Sequence, residues 1–274
     1  MIEIAKSTRI NELKEIWRKS FEDSEEYIDF FMQNAFENTI PVTCIRDGIS
    51  VGVIYMFECE EGNTGKKAYY WYAGGVLPEY RKSGVFKEIV DYILKYTTNE
   101  GAISFCYAMP ELREFYMKSG MDRFYHSVNI KIEMGKEVSE HNIVCSGLKV
   151  KEYKELRERT FAGGSYIRWD EKYLEYAIRE KQFCHGICDK IDIGGKSYAI
   201  VGDVSECCLN IEETTMNYDE LIGMAEQLAA LYCIQKINAR IPRFMIDKSV
   251  REPEIFSGLG NMDSGNFWIS LTLL

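Results

Sequence analysis

Residues 70–94 read YWYAGGVLPEYRKSGVFKEIVDYIL, and this stretch decides the fold. An apolar and aromatic strand runs through Val76 and Leu77 and stops at Pro78. A turn with two cations and a glycine follows at residues 81–84, and an amphipathic helix begins directly after it. A strand, a tight turn and a helix in this order present unpaired backbone N–H groups and the positive end of the helix dipole to an anion. The stretch therefore predicts a phosphate-binding turn.

Two common phosphate-binding motifs do not fit this turn. A Walker loop needs two glycines at a fixed spacing and then Lys and Ser or Thr, so GNTGKK at residues 62–67 fails and reads as a hairpin tip. The dinucleotide fingerprint Gly-x-Gly-x-x-Gly does not follow the strand either. What remains is Arg-x-x-Gly-x-Phe at residues 81–86, preceded by Val-x-Pro-x-Tyr at residues 76–80.

This pattern resembles the acetyl-CoA pyrophosphate loop of the GCN5-related N-acetyltransferase (GNAT) superfamily, whose backbone N–H groups hold the pyrophosphate. The resemblance implies cofactor contacts from six consecutive residues, which are Arg81, Lys82, Ser83, Gly84, Val85 and Phe86. Phe86 stands where the family often has a small residue, a mild departure because that position supplies mainly a backbone contact. The alternative is an ordinary strand, loop and helix with a basic turn on the surface.

A second segment, LREFYMKSGM at residues 112–121, resembles the "FYxKxGF" helix of the same family. It follows a short apolar strand at residues 102–108 and reaches Gly120, a residue that caps helix C-termini. The resemblance places Tyr116 on the family's tyrosine, which is commonly the general acid for the departing CoA thiolate. A phenol suits this task because its ordinary pKa lies far above neutrality. The alternative is that Tyr116 only packs in an amphipathic helix.

Gly74 and Gly75 interrupt what should be a central strand. Glycine inside a strand indicates a bulge or a close backbone approach. In the GNAT fold this strand splays from its parallel neighbour, and the pantetheine arm of CoA pairs with the free edge. The resemblance therefore implies that the backbones of Gly74 and Val76 contact pantetheine and the thioester carbonyl, where an N–H would stabilise the oxyanion.

Composition places the chain among soluble globular proteins. Its 274 residues, 46% hydrophobic and 28% charged, suit one large domain or two of about 130 residues. No apolar run approaches a membrane span and the N-terminus has no signal-peptide pattern, so we expect a cytoplasmic protein without a membrane partner. The nine cysteines then read as reduced thiols, and Cys184-His185-x-x-Cys188 lacks a fourth ligand, so no metal is expected.

The net charge of −10 argues against a nucleic-acid partner, because such binders need an excess of Lys and Arg. It fits a cationic small molecule or a basic peptide. The three histidines, His126, His141 and His185, stand in no nucleophile signature, which disfavours Ser-His-Asp and Cys-His hydrolases.

Hydrophobic spacing and turn signals, among them the hairpin pair Asp47-Gly48, predict the order β, α, α, β, β, β, α, β, α, β over residues 1–134. This order matches the GNAT fold, so the predicted fold class is α+β with a mixed sheet. A polar, irregular stretch at residues 135–146 indicates a domain boundary. The predicted domains are an acetyl-CoA-binding catalytic domain at residues 1–135 and a degenerate GNAT-like domain at residues 147–274, which closes with a strand at residues 266–274.

The second half lacks the phosphate-binding turn. Between Glu213 and Asp219 there is neither glycine nor cation, and Asn217 with Glu220 three residues later reads as a variant of the capping box. The tandem arrangement resembles acetyltransferases of the enhanced-intracellular-survival type without their third, sterol-carrier-like domain. In those enzymes the terminal carboxylate is the base, but here Leu274 ends the second domain, so that role does not carry over.

The resemblance implies an N-acetyltransferase that moves acetyl from acetyl-CoA to a primary amine of a small molecule or peptide by direct attack. A carboxylate or a water chain would be the base. Glu58, near the end of the third strand, is the first candidate, and Asp23, Glu25 and Glu26 in an acidic loop are others. These carboxylates could equally be solvated, or attract a cationic substrate without acting as base.

Two alternatives stay open. The first is a non-catalytic acyl-CoA-binding module, which the unassigned base permits and Tyr116 argues against. The second is a tandem GNAT-fold aminoacyl transferase of the peptidoglycan-bridge type, which the acidic charge and the intact turn disfavour.

Overall fold

The computed structural model describes residues 1–134, 143–262 and 267–270. The strands in these residues are β1 (Ile2–Ile4), β2 (Thr39–Arg46), β3 (Ile49–Glu61), β4 (Lys67–Val76), β5 (Ile103–Cys106), β6 (Arg123–Glu133), β7 (Val144–Gly147), β8 (Ile167–Arg168), β9 (Ile187–Ile193), β10 (Lys196–Ser205), β11 (Cys208–Thr214), β12 (Lys236–Ile241) and β13 (Glu254–Gly260). The helices are α1 (Ile10–Ser20), α2 (Glu25–Asn34), α3 (Val85–Asn99), α4 (Arg113–Lys118), α5 (Val150–Phe161), α6 (Glu171–Phe183) and α7 (Tyr218–Tyr232). None of these helices is both long and apolar enough to span a membrane.

The first half has the element order that the sequence predicts. Strands β1 to β4 are antiparallel neighbours, and α3 crosses over to β5, which is parallel to β4. Asp47 and Gly48 both have positive φ angles, as a tight hairpin turn between β2 and β3 requires. Gly120 also has a positive φ, directly after the end of α4, so its predicted role at the helix C-terminus is confirmed.

The second half shares much of the element order of the first, but β8 stands between its two leading helices and no α-helix stands between β12 and β13. Strands β9, β10 and β11 are antiparallel neighbours, and α7 crosses over from β11 to the parallel strand β12. Helices α5 and α6 precede β9, as α1 and α2 precede β2. The stretch 135–146 was predicted to be irregular, but β7 begins at Val144 and pairs with β9; residues 135–142 lie outside the described residues.

One sheet joins the two halves, because each half places a strand in the other. Strand β13 from the end of the chain lies between β5 and β6, and β6 in turn pairs with β12. A Cβ on Gly260 would lie 2.4 Å from the Ser104 carbonyl oxygen, so a glycine is needed where β13 enters the sheet. The sequence did not predict β13, whose two glycines weaken the strand pattern.

The predicted closing strand at residues 266–274 is not found in its described part. Residues 267–270 form a single bridge, between Trp268 and Tyr166, rather than a strand. The rest of that prediction lies outside the described residues.

Helix α6 of the second half packs against the first half. The ring of Tyr173 lies 5.0 Å from that of Phe57 on β3, and Phe183 stacks on Phe30 of α2 at 4.5 Å. Buried residues of α5 and α6 accordingly belong to the same hydrophobic core as those of β3, β4 and α3. This packing carries the last turn of α6 towards β4, where the candidate site lies.

Candidate functional site

The site begins where β4 and β5 separate. Their parallel pairing ends at Trp71 and Cys106, while β4 continues to Val76. Ala73 has a positive φ of 46°, next to a register shift in the pairing of β3 with β4. The bulge leaves the last residues of β4 without β5 on that edge, as the interrupted strand pattern predicted.

Gly74 and Gly75 have no room for a side chain. A Cβ on Gly74 would lie 3.0 Å from the ring of Phe86, at the start of α3, and one on Gly75 would lie 2.6 Å from the Ser20 hydroxyl of α1. The two glycines therefore let α3 and α1 approach the strand closely from either side.

The basic turn, residues 81–84, leaves the start of α3 uncapped. Gly84 has a φ of 89° and no side chain caps the helix. The Arg81 N–H donates to the Pro78 carbonyl, so it is satisfied inside the turn. Across the described part of the chain, no backbone carbonyl accepts from the N–H groups of residues 82–86. Five of the six predicted donors are thus available to an anion at the positive end of a 15-residue helix.

The two cations of the turn have different surroundings. The Arg81 guanidinium donates to the carbonyls of Val76, at 3.0 Å, and Lys19, at 2.7 Å, so it fastens the turn to β4 and α1. Lys82 is exposed and forms no ion pair with the described residues. Arg81 therefore shapes the turn, and Lys82 is the free cation beside it.

Tyr116 lies next to the separated strands. It is buried, its ring centroid lies 6.2 Å from that of Trp71 and 6.1 Å from that of Phe86, and the Cys106 thiol is its hydrogen-bonding neighbour. Burial, and then the Cys106 thiol, raise the pKa of Tyr116 well above its usual value. The phenol therefore keeps its proton at neutral pH, as a general acid must.

Gly74 and Tyr116 open into one cavity of about 870 Å³, which we call the aromatic cavity. Its wall combines the α1–α2 loop, β4, the segment after β5, α4 and the end of α6. The lining residues are Trp17, Phe21, Glu22, Asp23, Ser24, Tyr27, Ile54, Tyr70, Trp71, Tyr72, Ala73, Gly74, Cys106, Tyr107, Ala108, Met109, Leu112, Tyr116, Glu180, Phe183 and Cys184. Its size is that of a small-molecule site.

Glu180 is a site residue that the sequence did not single out. It comes from α6, is 7% exposed, and accepts from the Tyr27 hydroxyl at 3.4 Å. Burial, followed by the charge of Glu212, raises the pKa of its carboxyl above the usual glutamate value, against the lowering effect of Lys181. The signal was its spacing, since Glu180 follows Tyr173 and Ala177 on the buried side of α6.

The predicted base candidates are placed differently. Glu58 is exposed, pairs with Lys67 at 3.1 Å and is not part of the cavity wall, which argues against it as base. Asp23 lines the cavity and accepts from the Trp17 indole at 2.7 Å. Glu25 and Glu26 lie outside the wall at the start of α2. Tertiary packing therefore brings Asp23 to the site and leaves the other three outside it.

The predicted cofactor residues come together. Phe86 packs on both Gly74 and Tyr116, so the helix start, the glycine strand and the tyrosine helix meet at one place. Val76 lies behind them at the end of β4, where its carbonyl holds Arg81. Among the described residues, no group of three or more His, Cys, Asp or Glu side chains is placed to hold a metal ion.

Comparison with known families bears on this arrangement. Residues 2–124 match the family model described as the acetyltransferase (GNAT) domain. This part of the chain is therefore similar to GNAT acetyltransferase domains. The search of curated proteins finds no match to the sequence.

Solved structures share the fold of nearly all of this chain. A probable N-acyltransferase from Enterococcus faecalis V583 is 12% identical, with a TM-score of 0.73 over 95% of this chain and 72% of its own. A GCN5-related N-acetyltransferase from Anabaena variabilis is 16% identical, with a TM-score of 0.70 over 95% and 72%. Eis1 from Mycobacterium abscessus is 11% identical, with a TM-score of 0.67 over 96% and 73%. At these identities the likeness is one of fold.

Proposed function

We propose that the protein is an N-acetyltransferase that transfers acetyl from acetyl-CoA to a primary amine of a small molecule or peptide by direct attack. The observation that carries the proposal is that the free edge of β4 and the protonated Tyr116 share one cavity, and that the uncapped start of α3 packs on both through Phe86. Each of these parts has a separate task in acyl transfer from CoA.

Acetyl-CoA fits the residues at this place. The N–H groups of residues 82–86 and the positive helix end suit its pyrophosphate, with Lys82 as an additional cation. The edge of β4 beyond Trp71 is free to pair with the amide groups of pantetheine. Gly74 on that edge lies in the cavity wall, where its backbone can reach the thioester carbonyl.

The residues of the cavity can move the protons that the reaction requires. The amine nitrogen attacks the thioester carbon, the carbon–sulfur bond breaks, and the sulfur takes the proton of Tyr116. The amine gives up its own proton to a carboxylate. Glu180 is the buried carboxylate of the wall, and its raised pKa makes it a stronger base than an exposed glutamate. We therefore assign Tyr116 as acid and Glu180, in place of Glu58, as base.

The second half has its own part in this proposal. We assign residues 147–274 as a degenerate GNAT-like domain, because α7 crosses between parallel strands as α3 does. Its α6 contributes Glu180, Phe183 and Cys184 to the cavity wall. In this proposal the catalytic domain, residues 1–135, holds acetyl-CoA while the degenerate domain closes the acceptor side.

The decisive experiment is calorimetric titration with acetyl-CoA. We expect a dissociation constant on the order of 1 μM, and a loss of about 100-fold in Gly84→Asp, where a side chain is forced into a left-handed conformation and a carboxylate faces the anion site. Gly65→Asp is the matched control. Gly65 also has a positive φ, 68°, and open space, but it lies at the tip of the β3–β4 hairpin.

The outcomes separate the alternatives. Binding lost in Gly84→Asp and kept in Gly65→Asp, followed by acetylation of an amine, supports the acetyltransferase. Binding without turnover on a broad amine panel points to the acyl-CoA-binding module instead. Absence of binding by the unaltered protein rejects acetyl-CoA as the acyl donor.

A further inference from the structure

The acceptor end of the aromatic cavity is lined by acidic side chains and, among the described residues, by no basic side chain. Glu22, Asp23 and Glu180 line it, and no Lys, Arg or His of the described residues does. Glu22 and Asp23 are exposed, whereas Glu180 is buried. The cavity therefore has one buried negative charge when Glu180 is ionised.

That buried charge has no ionic partner in the described part of the chain. Its contacts are the hydroxyl of Tyr27 at 3.4 Å and the thiol of Cys184 at 3.7 Å, both neutral groups. The neighbouring cation, Lys181, is paired with Glu212 at 2.7 Å instead. A buried carboxylate is stable as an ion only with a compensating cation. An ammonium group in the cavity would supply it.

The rest of the wall is mainly aromatic and aliphatic. Nine of its 21 lining residues are aromatic. Of the eleven large apolar side chains that are exposed in the described residues, four line this cavity; they are Tyr107, Met109, Leu112 and Phe183. Large apolar side chains gathered at the mouth of a pocket indicate contact with an apolar ligand surface.

We infer that the acceptor is a primary amine on a hydrophobic body, with its ammonium group against Glu180 and its aromatic or aliphatic body along Met109, Leu112 and Phe183. This inference rests on the proposed function and names its substrate class. A hydrophilic polyamine fits less well, because it has no apolar body to cover Met109, Leu112 and Phe183, although Glu22 and Asp23 could hold its second ammonium group. The aromatic rings of the wall also favour an ammonium group, through cation–π attraction.

The test compares two amines at saturating acetyl-CoA. We expect kcat/KM for 2-phenylethylamine to exceed that for 1,4-diaminobutane by about 100-fold, the gain from burying one aromatic ring. Equal or better use of 1,4-diaminobutane overturns the inference and leaves the proposed acetyltransferase intact. Binding of acetyl-CoA with neither amine used also overturns it. Failure to bind acetyl-CoA removes both proposals.

Variants at the mouth test the hydrophobic body. Met109→Ser with Leu112→Ser should raise KM for 2-phenylethylamine about 10-fold and leave kcat, and the use of 1,4-diaminobutane, within twofold. Ile222→Ser is the control, because Ile222 is equally exposed but lies on α7, outside the cavity. Equal losses for both amines would show that the mouth does not select for apolar bodies.

Variants on α6 test the anchor. Glu180→Gln should lower kcat/KM for both amines by at least about 100-fold while acetyl-CoA affinity stays within twofold. Glu175→Gln, an exposed position on the same helix, is the matched control and should behave as the unaltered protein. Unchanged amine kinetics in Glu180→Gln would remove Glu180 as the ammonium anchor.

Discussion

Two pairs of parallel strands in this molecule are connected in the same way but differ in the residues that lie beyond the paired part. In the first half, Ala68–Trp71 of β4 pair with Ile103–Cys106 of β5, and α3 connects the strands. In the second half, Cys208–Ile211 of β11 pair with Lys236–Ala239 of β12, and α7 connects them. Each pair is four residues long, and in each the first strand continues past it. Beyond the first pair the strands open into the aromatic cavity, whereas a buried ion pair lies beyond the second pair and a separate cavity of about 870 Å³ lies at the start of α7.

Buried polar side chains fill the space directly beyond the second pair of strands. Glu213, on the part of β11 beyond the pairing, forms a buried ion pair with Arg157 of α5 at 2.8 Å. It also contacts the hydroxyls of Tyr153 and Ser270, the latter from the end of the chain. The corresponding part of β4 carries Gly74 and Gly75. The glycines let α3 and α1 approach β4 closely, whereas Glu213 and its partners occupy the space beside β11.

The two connecting helices begin differently as well. Helix α3 starts after Gly84 without a side-chain cap. Helix α7 starts at a full capping box, in which Asn217 accepts from the Glu220 N–H at 2.9 Å and the Glu220 carboxylate accepts from the Asn217 N–H at 3.1 Å. The cap satisfies the N–H groups that an anion would need. The comparison teaches that the two halves share a layout and differ at the two places that the proposed cofactor site depends on, the glycines of the strand and the open start of the helix.

Breaking the Arg157–Glu213 ion pair should have the largest effect, a loss in the free energy of unfolding. Glu213→Gln leaves the Arg157 guanidinium buried and unpaired, so we expect the free energy of unfolding to fall by about 3–5 kcal/mol, measured by urea denaturation. The double replacement Arg157→Met with Glu213→Met is the control and should recover most of the loss. A loss below about 1 kcal/mol for Glu213→Gln would mean that solvent reaches the space beyond the second pair of strands.

Removing the phenol tests the chemistry of the aromatic cavity. Tyr116→Phe keeps the ring packed between Trp71 and Phe86 but removes the proton donor, so kcat should fall about 100-fold with acetyl-CoA affinity within twofold. Glu58→Gln is the control and should change kcat less than about twofold, because its exposed pair with Lys67 lies outside the cavity. A reversed result would reinstate Glu58 as a participant and leave Tyr116 as a packing residue.

Removing the cap of α7 should have the smallest effect on stability. It also tests directly whether the cap is what distinguishes the two helix starts. Asn217→Gly with Glu220→Ala makes the helix start resemble that of α3, and we expect a loss of about 1 kcal/mol in unfolding free energy. Calorimetry should still find one acetyl-CoA per chain, because the Arg157–Glu213 pair continues to fill the space beyond the second pair of strands. Asn217→Asp, which keeps a side-chain cap, is the stability control. A second binding event would show that the cap alone distinguishes the halves.

Local signals predicted the parts of the site that lie close together in the chain. Pro78 and Gly84 mark the turn, the spacing around Tyr116 marks its helix, and Asn217 with Glu220 marks the cap of α7. All of these depend on backbone conformation over a few residues, where residue type and φ angle are directly linked. Local signals could not place the carboxylates, because whether Glu58 or Glu180 reaches the cavity depends on how distant elements pack, and the identity of the base stays a prediction.

The sequence by itself determined the element order of the first half, the basic turn before α3 and the absence of such a turn before α7, because each is encoded in short-range patterns. Only the tertiary structure decided that β13 enters the sheet between β5 and β6, and that α6 brings Glu180 to a cavity formed by α1, α2 and β4. Strand exchange and helix docking are settled by burial of apolar surface between segments far apart in the chain. No local pattern records which distant surface a segment will cover.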